Sequence, residues 1–146
     1  MDKSFVTETA KGLLFSAEKD ILSIEVLLSK KFHPEDVMYD IICFHVTMAV
    51  EKLLKSYIIS NGKNIEKTHN LKYLCSFATN IDASFENIKK DCVYLNDFIP
   101  SGRYDSEIPI AKHDLDKIIK SLNNICEFHL IKATRDSANQ KYEIID

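Results

Sequence analysis

The sequence has few of the residues that interrupt helices. Only three glycines and three prolines occur in 146 residues, and tryptophan is absent. Most of these glycines and prolines fall between long segments in which apolar residues recur every three or four positions, the spacing of one helix face. This pattern leaves little room for strands, and we expect an all-α protein.

Several chemical signatures are also missing. The formal net charge is −3, so any nucleic-acid contact needs a local cluster of lysine and arginine rather than bulk positive charge. Cys43, Cys75, Cys92 and Cys126 form no CxxC pair, and no clustered histidines complete a zinc site. A Gly-rich phosphate loop, a nucleophile elbow and an HExxH pair are absent as well. We expect reduced core cysteines, no metal and no cofactor.

The sequence shows neither a secretion signal nor a membrane span. Its first residues lack an apolar h-region, and no segment approaches the ~18 uninterrupted apolar residues that a spanning helix needs. We therefore expect a soluble, cytoplasmic protein. A chain of 146 residues fits one domain, 1–146, whose polar tail after about residue 135 is expected to fray.

The apolar periodicity predicts an antiparallel, up-and-down helical bundle of four long helices plus one short helix. We expect the long helices at about 4–30, 34–61, 81–99 and 108–134, and the short one near 70–79. The second helix is apolar almost all round, which is typical of a bundle centre or a subunit interface. Gly62 is placed to end it.

Polar residues interrupt the apolar surface of this second helix. His45 and Lys52 are seven residues apart and share a face, and Lys55 lies one turn beyond Lys52. Lys52 and Lys55 are candidates for binding phosphate. In the structural alternative, Glu51 pairs with Lys55 and Lys52 extends to solvent. For His45 we favour a hydrogen-bonded role in the core or an interface.

Thr68, His69 and Asn70 directly precede the short predicted helix. Thr68 or Asn70 is expected to cap its free N–H groups. His69 is then either a helix-entry residue held by local hydrogen bonds, or an imidazole that donates to phosphate or moves a proton beside the helix N-terminus. The sequence leaves both interpretations open.

Arg103 and Tyr104 lie in the loop between the last two long helices. An arginine between a glycine and an aromatic residue suits bidentate phosphate recognition, and Tyr104 suits stacking on a base. Asp105 alternatively holds Arg103 in a local salt bridge. Further on, His113 and Asp114 are typical of the first turn of a helix.

A series of short motifs follows in order over nearly the whole chain. The motifs are Ala17-x-x-Asp20-Ile21, Phe44-His45-x-x-Met48-Ala49-x-Glu51-Lys52-x-x-Lys55, Gly62, Thr68-His69-Asn70-Leu71-x-x-Leu74 and Arg103-Tyr104. In these motifs the chain resembles the HEPN domain family, specifically its stand-alone prokaryotic type. The resemblance implies a five-helix up-and-down bundle and a homodimer packed through long helices. It also implies RNA or nucleotide binding, and a small nucleotidyltransferase as partner in toxin, defence or resistance modules.

The chain departs from the pattern of the ribonucleases in that family. Many active members are metal-independent and use an arginine followed about four to six residues later by a histidine. Here His113 follows Arg103 by ten residues, and Arg135 has no histidine after it. Asn70 also replaces the acidic residue that commonly follows the histidine in this subgroup. These departures favour a protein that is not an enzyme, with no catalytic residue assigned.

Three hypotheses follow. The leading one is a dimeric nucleotide- or RNA-phosphate-binding module whose ligand-binding residues are Lys52, Lys55, His69, Arg103 and Tyr104. The enzyme alternative is a metal-independent ribonuclease with His69 or His113 as acid/base and Arg103 stabilising charge on phosphorus. The third is an antitoxin-like interaction subunit whose cations only make salt bridges.

Overall fold

The computed structural model describes residues 3–29, 38–99 and 110–129, and these are helical with short connections. The α-helices are α1 (Lys3–Leu28), α2 (Met38–Ser60), α3 (Leu71–Ile81), α4 (Lys89–Asn96) and α5 (Lys112–His129), with a 3₁₀ helix (Ala83–Ile88) before α4. The described ranges contain no strand, which confirms the all-α prediction. None of these helices is both long and apolar enough to cross a membrane.

Helix α2 is the centre of the bundle. Each of the other four α-helices in the described ranges contacts it. Its side chains at Val46, Leu53, Leu54 and Ile58 are at most 1% exposed. The central position predicted from its apolar character is confirmed, whereas its predicted first turn at 34–37 lies outside the described residues.

Two pairs of helices pack antiparallel. The Ser56 hydroxyl on α2 donates to the carbonyl oxygen of Ala10 on α1 at 2.9 Å, and further along α1 Asp20 meets His45. Between α4 and α5, the Asn124 amide donates to Asp91 at 3.2 Å, and the Lys117 ammonium lies over the Tyr94 ring at 4.3 Å. In both pairs, residue numbers rise along one helix as they fall along the other.

The prediction of one long helix over about 81–99 is wrong, because the helical conformation is interrupted at Asp82. This residue is extended (φ −143°, ψ 113°), ends α3 and accepts a hydrogen bond on its side chain from the Ser84 N–H. The 3₁₀ helix follows before α4 begins. Phe85 and Ile88 are buried although they lie in the 3₁₀ helix, since residues three apart share a face there too. A spacing of three or four therefore did not distinguish one long helix from two shorter pieces.

The other helix bounds agree with the sequence where the structure describes them. Helix α1 matches the prediction of 4–30, α3 matches that of 70–79, and α5 covers the middle of 108–134. Gly62 ends α2 as expected, with a positive φ of 74°. The N–H of Gly62 donates to Ile59 at 2.9 Å and that of Lys63 donates to Ile58 at 3.3 Å, which is the Schellman pattern.

Thiols and one histidine complete the core. All four cysteines are buried thiols, as predicted. A hydrogen bond between the Cys75 and Cys92 thiols, together with burial, raises the pKa of Cys92 and keeps it protonated. Burial against the Phe85 and Phe128 rings lowers the pKa of His129 to about 4, so that its imidazole is neutral near pH 7.

Candidate functional site: two buried carboxylates and their cations

The first cluster is built around Asp20 of α1. Asp20 is only 8% exposed and lies on the same helix face as Ala17, Ile21 and Ile24, which are buried. Its Oδ1 is 2.9 Å from the Nδ1 of His45, and its Oδ2 accepts from the Lys52 Nζ at 2.6 Å. A carboxylate removed from water needs such partners, because its desolvation is otherwise uncompensated.

The second cluster is built around Glu51 of α2, which is 6% exposed. Its Oε2 accepts from the Lys55 Nζ at 3.1 Å, one helical turn further along. Its Oε1 is 2.7 Å from the Nδ1 of His69, which comes from the loop before α3. The side chain of His69 is 59% exposed, so Glu51 orients an imidazole at the protein surface.

Helical spacing explains why α2 supplies cations to both clusters. His45 and Lys52 lie two turns apart on one face and converge on the same carboxyl group of α1. Glu51 and Lys55 are four apart and pair along the neighbouring face of the same helix. The two clusters therefore lie side by side on α2, and each contains one carboxylate, one ammonium and one imidazole.

The protein supplies acceptors for three N–H groups at the start of α3. Asn70 is the N-cap residue, and its Oδ1 accepts from the Tyr73 N–H at 2.9 Å. The Thr68 hydroxyl accepts from the Asn70 N–H at 3.1 Å. From the end of α4, the Asn96 Oδ1 accepts from the Leu71 N–H at 2.9 Å. The predicted capping role is confirmed, and these donors are already occupied by protein acceptors.

These contacts decide three interpretations drawn from the sequence. The Glu51–Lys55 pair and a hydrogen-bonded His45 are confirmed. The extension of Lys52 into solvent is wrong, because its side chain is 19% exposed and its ammonium bonds to Asp20. The sequence placed Lys52 on the correct face but could not show which residue of α1 lies opposite.

The other site residues predicted from the sequence do not belong to these two clusters in the part of the chain that the structure describes. Arg103 and Tyr104 lie outside the described residues, so their place in a ligand site stays a prediction. His113 is 85% exposed, with its Nε2 3.3 Å from the adjacent Asp114. Asp114 also accepts from the Ala111 N–H at 3.1 Å, which is typical of a first helical turn.

Sequence reasoning missed Asp20 and Glu51 as the residues that organise the site. The sequence shows Asp20 as an acidic residue on an otherwise apolar face of α1. It shows Glu51 as an acidic residue close to Val50 and Leu53 in a helix that is apolar almost all round. An acidic residue at a core position points to a buried partner. The identity of that partner depends on which elements pack together.

The helical architecture and these motifs agree with the family comparison. The family model of the HEPN domain matches residues 10–134, which is most of the chain. The chain therefore belongs to the HEPN domain family. No curated protein and no solved structure matches it.

We expect Lys52→Met to destabilise the fold by about 2 kcal/mol, because it leaves the buried Asp20 carboxylate without its ammonium partner. The double variant Asp20→Asn/Lys52→Met removes that charge, and its cost should be less than the sum of the two single costs. Urea unfolding followed by circular dichroism measures each value.

Lys89→Met provides the matched control, since Lys89 and Glu86 are about half exposed and 4.0 Å apart. Its effect should stay within about 0.5 kcal/mol. A Lys52→Met variant as stable as this control would contradict a structural role for the Asp20 cluster.

Proposed function

We propose that this HEPN protein is a homodimeric module that binds the phosphate groups of a nucleotide or of RNA. We further propose that it is the partner of a small nucleotidyltransferase in a toxin-antitoxin or defence-type system. The observation that carries the binding proposal is the exposed imidazole of His69, which Glu51 holds beside Lys55 at the surface of the bundle.

The geometry of His69 suits an anionic ligand. Its Nδ1 faces Glu51 at 2.7 Å, and its side chain is 59% exposed, which leaves the Nε2 edge for a ligand. An imidazole that carries both of its protons donates from Nδ1 to Glu51 and from Nε2 to a phosphate oxygen. Lys55 balances the charge of Glu51 in the same cluster.

The chain connectivity allows Arg103 to reach the same site. Asn96 bonds to Leu71, only two residues after His69, and the chain stays in a hydrogen-bonded turn as far as Ile99. The four residues from Ile99 to Arg103 span up to about 14 Å. We propose that Arg103 supplies bidentate phosphate contacts and that the adjacent Tyr104 stacks on a base, with Lys52 adding positive charge from the Asp20 cluster.

Titration of the purified protein with ATP, GTP and a short single-stranded RNA tests the binding site. We expect Arg103→Ala to weaken binding about tenfold, since it removes a charge-assisted hydrogen-bond pair. His69→Gln should weaken it as well. The control is Arg135→Ala, which removes the other arginine of the chain. No binding at millimolar ligand, or equal binding by Arg103→Ala and wild type, would refute the proposal.

Exposed apolar side chains support the homodimer. Phe15, Leu22 and Val26 form one stripe along α1 and are 60%, 58% and 51% exposed. On α2, Ile41 and Phe44 are each 42% exposed. Because α1 and α2 are antiparallel, Leu22 and Val26 lie at the same end of the pair as Ile41 and Phe44. Apolar surface of this extent on a small domain is typical of a protein interface.

The mass of the protein in solution tests the dimer. We expect wild type to sediment at twice its chain mass of 16.8 kDa, and Leu22→Glu to sediment as a monomer because a charge desolvated in the interface is costly. Val93→Glu is the control, since Val93 is an exposed apolar residue of α4 and not part of the exposed apolar surface of α1 and α2. A monomeric wild type, or a dimeric Leu22→Glu variant, would count against this interface.

A metal-independent ribonuclease is the second candidate, favoured by the same His69 geometry. A carboxylate that bonds Nδ1 of a histidine and leaves Nε2 outward is the arrangement that orients general bases in enzymes. This candidate predicts RNA cleavage in the presence of EDTA, lost in His69→Gln and reduced in Glu51→Gln. Cleavage that persists in His69→Gln would assign the activity to another site or to a contaminant.

A further inference from the structure

A pocket of about 420 Å³ lies at the end of α2 opposite to Ile41 and Phe44. Thr9 of α1 forms one side of it, and Lys55 and Ile59 of α2 form another. The loop 63–67, which follows the Gly62 turn, closes the third side. The volume is within the range of small-molecule sites, which is about 300–1,000 Å³.

The Gly62 turn positions this loop. The left-handed conformation of Gly62 reverses the chain direction after α2, and Ile65 then packs against the core. The same turn satisfies the carbonyl groups at the helix end: Ile58 and Ile59 accept backbone N–H groups, and Tyr57 accepts from the Asn61 side chain at 2.9 Å. These bonds weaken the negative end of the helix dipole, which would otherwise repel an anion.

The charges around the pocket favour an anion. Lys63 and Lys67 are exposed, and neither forms an ion pair with a carboxylate in the described part of the chain. Lys55 reaches the pocket with its charge balanced by Glu51. Glu66 is the acidic residue among the described lining residues and offsets one ammonium. With Lys55 balanced by Glu51, Lys63 and Lys67 against Glu66 leave the described lining with one excess positive charge.

We infer that this pocket binds a compact organic phosphate, such as a nucleoside monophosphate. Lys63 and Lys67 contact the phosphate group, while the apolar side chains of Ile59 and Ile65 face the uncharged body of the ligand. None of the described lining residues is aromatic, so these residues hold a base without stacking. The pocket shares Lys55 with the His69 cluster but needs neither His69 nor Arg103, so it is a second site beside the nucleotide or RNA site proposed above.

Calorimetric titration of the full chain with AMP, inorganic phosphate and adenosine tests this inference. We expect AMP and phosphate to bind, and adenosine to bind at least about tenfold more weakly because it lacks the charged group. The double variant Lys63→Gln/Lys67→Gln should weaken AMP binding about tenfold. Lys89→Gln/Lys90→Gln removes the same charge from α4 and should bind AMP as wild type does.

Amide chemical shifts locate the bound ligand. AMP is expected to shift the amides of 62–67 in wild type and also in His69→Gln. Equal affinity for adenosine and AMP, or unchanged AMP binding by Lys63→Gln/Lys67→Gln, would overturn the inference.

The two binding proposals fail separately. AMP bound at 62–67, in a protein whose ATP, GTP and RNA binding does not depend on His69 or Arg103, refutes the His69 site and supports the pocket. Binding of ATP, GTP or RNA that depends on His69 and Arg103, in a protein that does not bind AMP, supports the His69 site and refutes the pocket.

Discussion

Two carboxylates removed from water impose the main constraint on this bundle. Asp20 and Glu51 are each less than one-tenth exposed, and an ionised carboxylate in that setting is tolerated only with close cationic partners. Helix α2 provides Lys52 and His45 for one and Lys55 for the other. The pairing with Asp20 holds α1 in register against α2, because sliding by one turn would leave that charge buried alone.

The same pairing limits what the clusters can do for a ligand. Both oxygens of each carboxylate have a cationic or imidazole partner, so Lys52 and Lys55 meet an incoming phosphate with their charge already compensated. Their contribution to phosphate affinity is therefore smaller than that of an unpaired lysine. The outward edge of His69 retains binding capacity, as do the ammonium groups of Lys63 and Lys67, which pair with no carboxylate among the described residues.

Helix periodicity predicted most of the fold but not the break at Asp82. Regular apolar spacing and the Gly62 turn are local signals, and they located α1, α2 and α3 well. The 3₁₀ helix escaped because its apolar spacing overlaps that of an α-helix. In the candidate site, spacing placed His45 and Lys52 on one face. Their acceptor, Asp20, is 25 and 32 residues away and is fixed only by tertiary packing.

The central position of α2 also determines which parts of the molecule can open independently. A helix that contacts each of the four other α-helices in the described ranges cannot unfold locally without loss of most of the core, so its central amide hydrogens should exchange only in global unfolding. His69 belongs to the loop before α3 and is attached to α2 through Glu51. The lysines of α2 are thus held on the most rigid element, whereas the imidazole beside them can be displaced by local opening of a single loop.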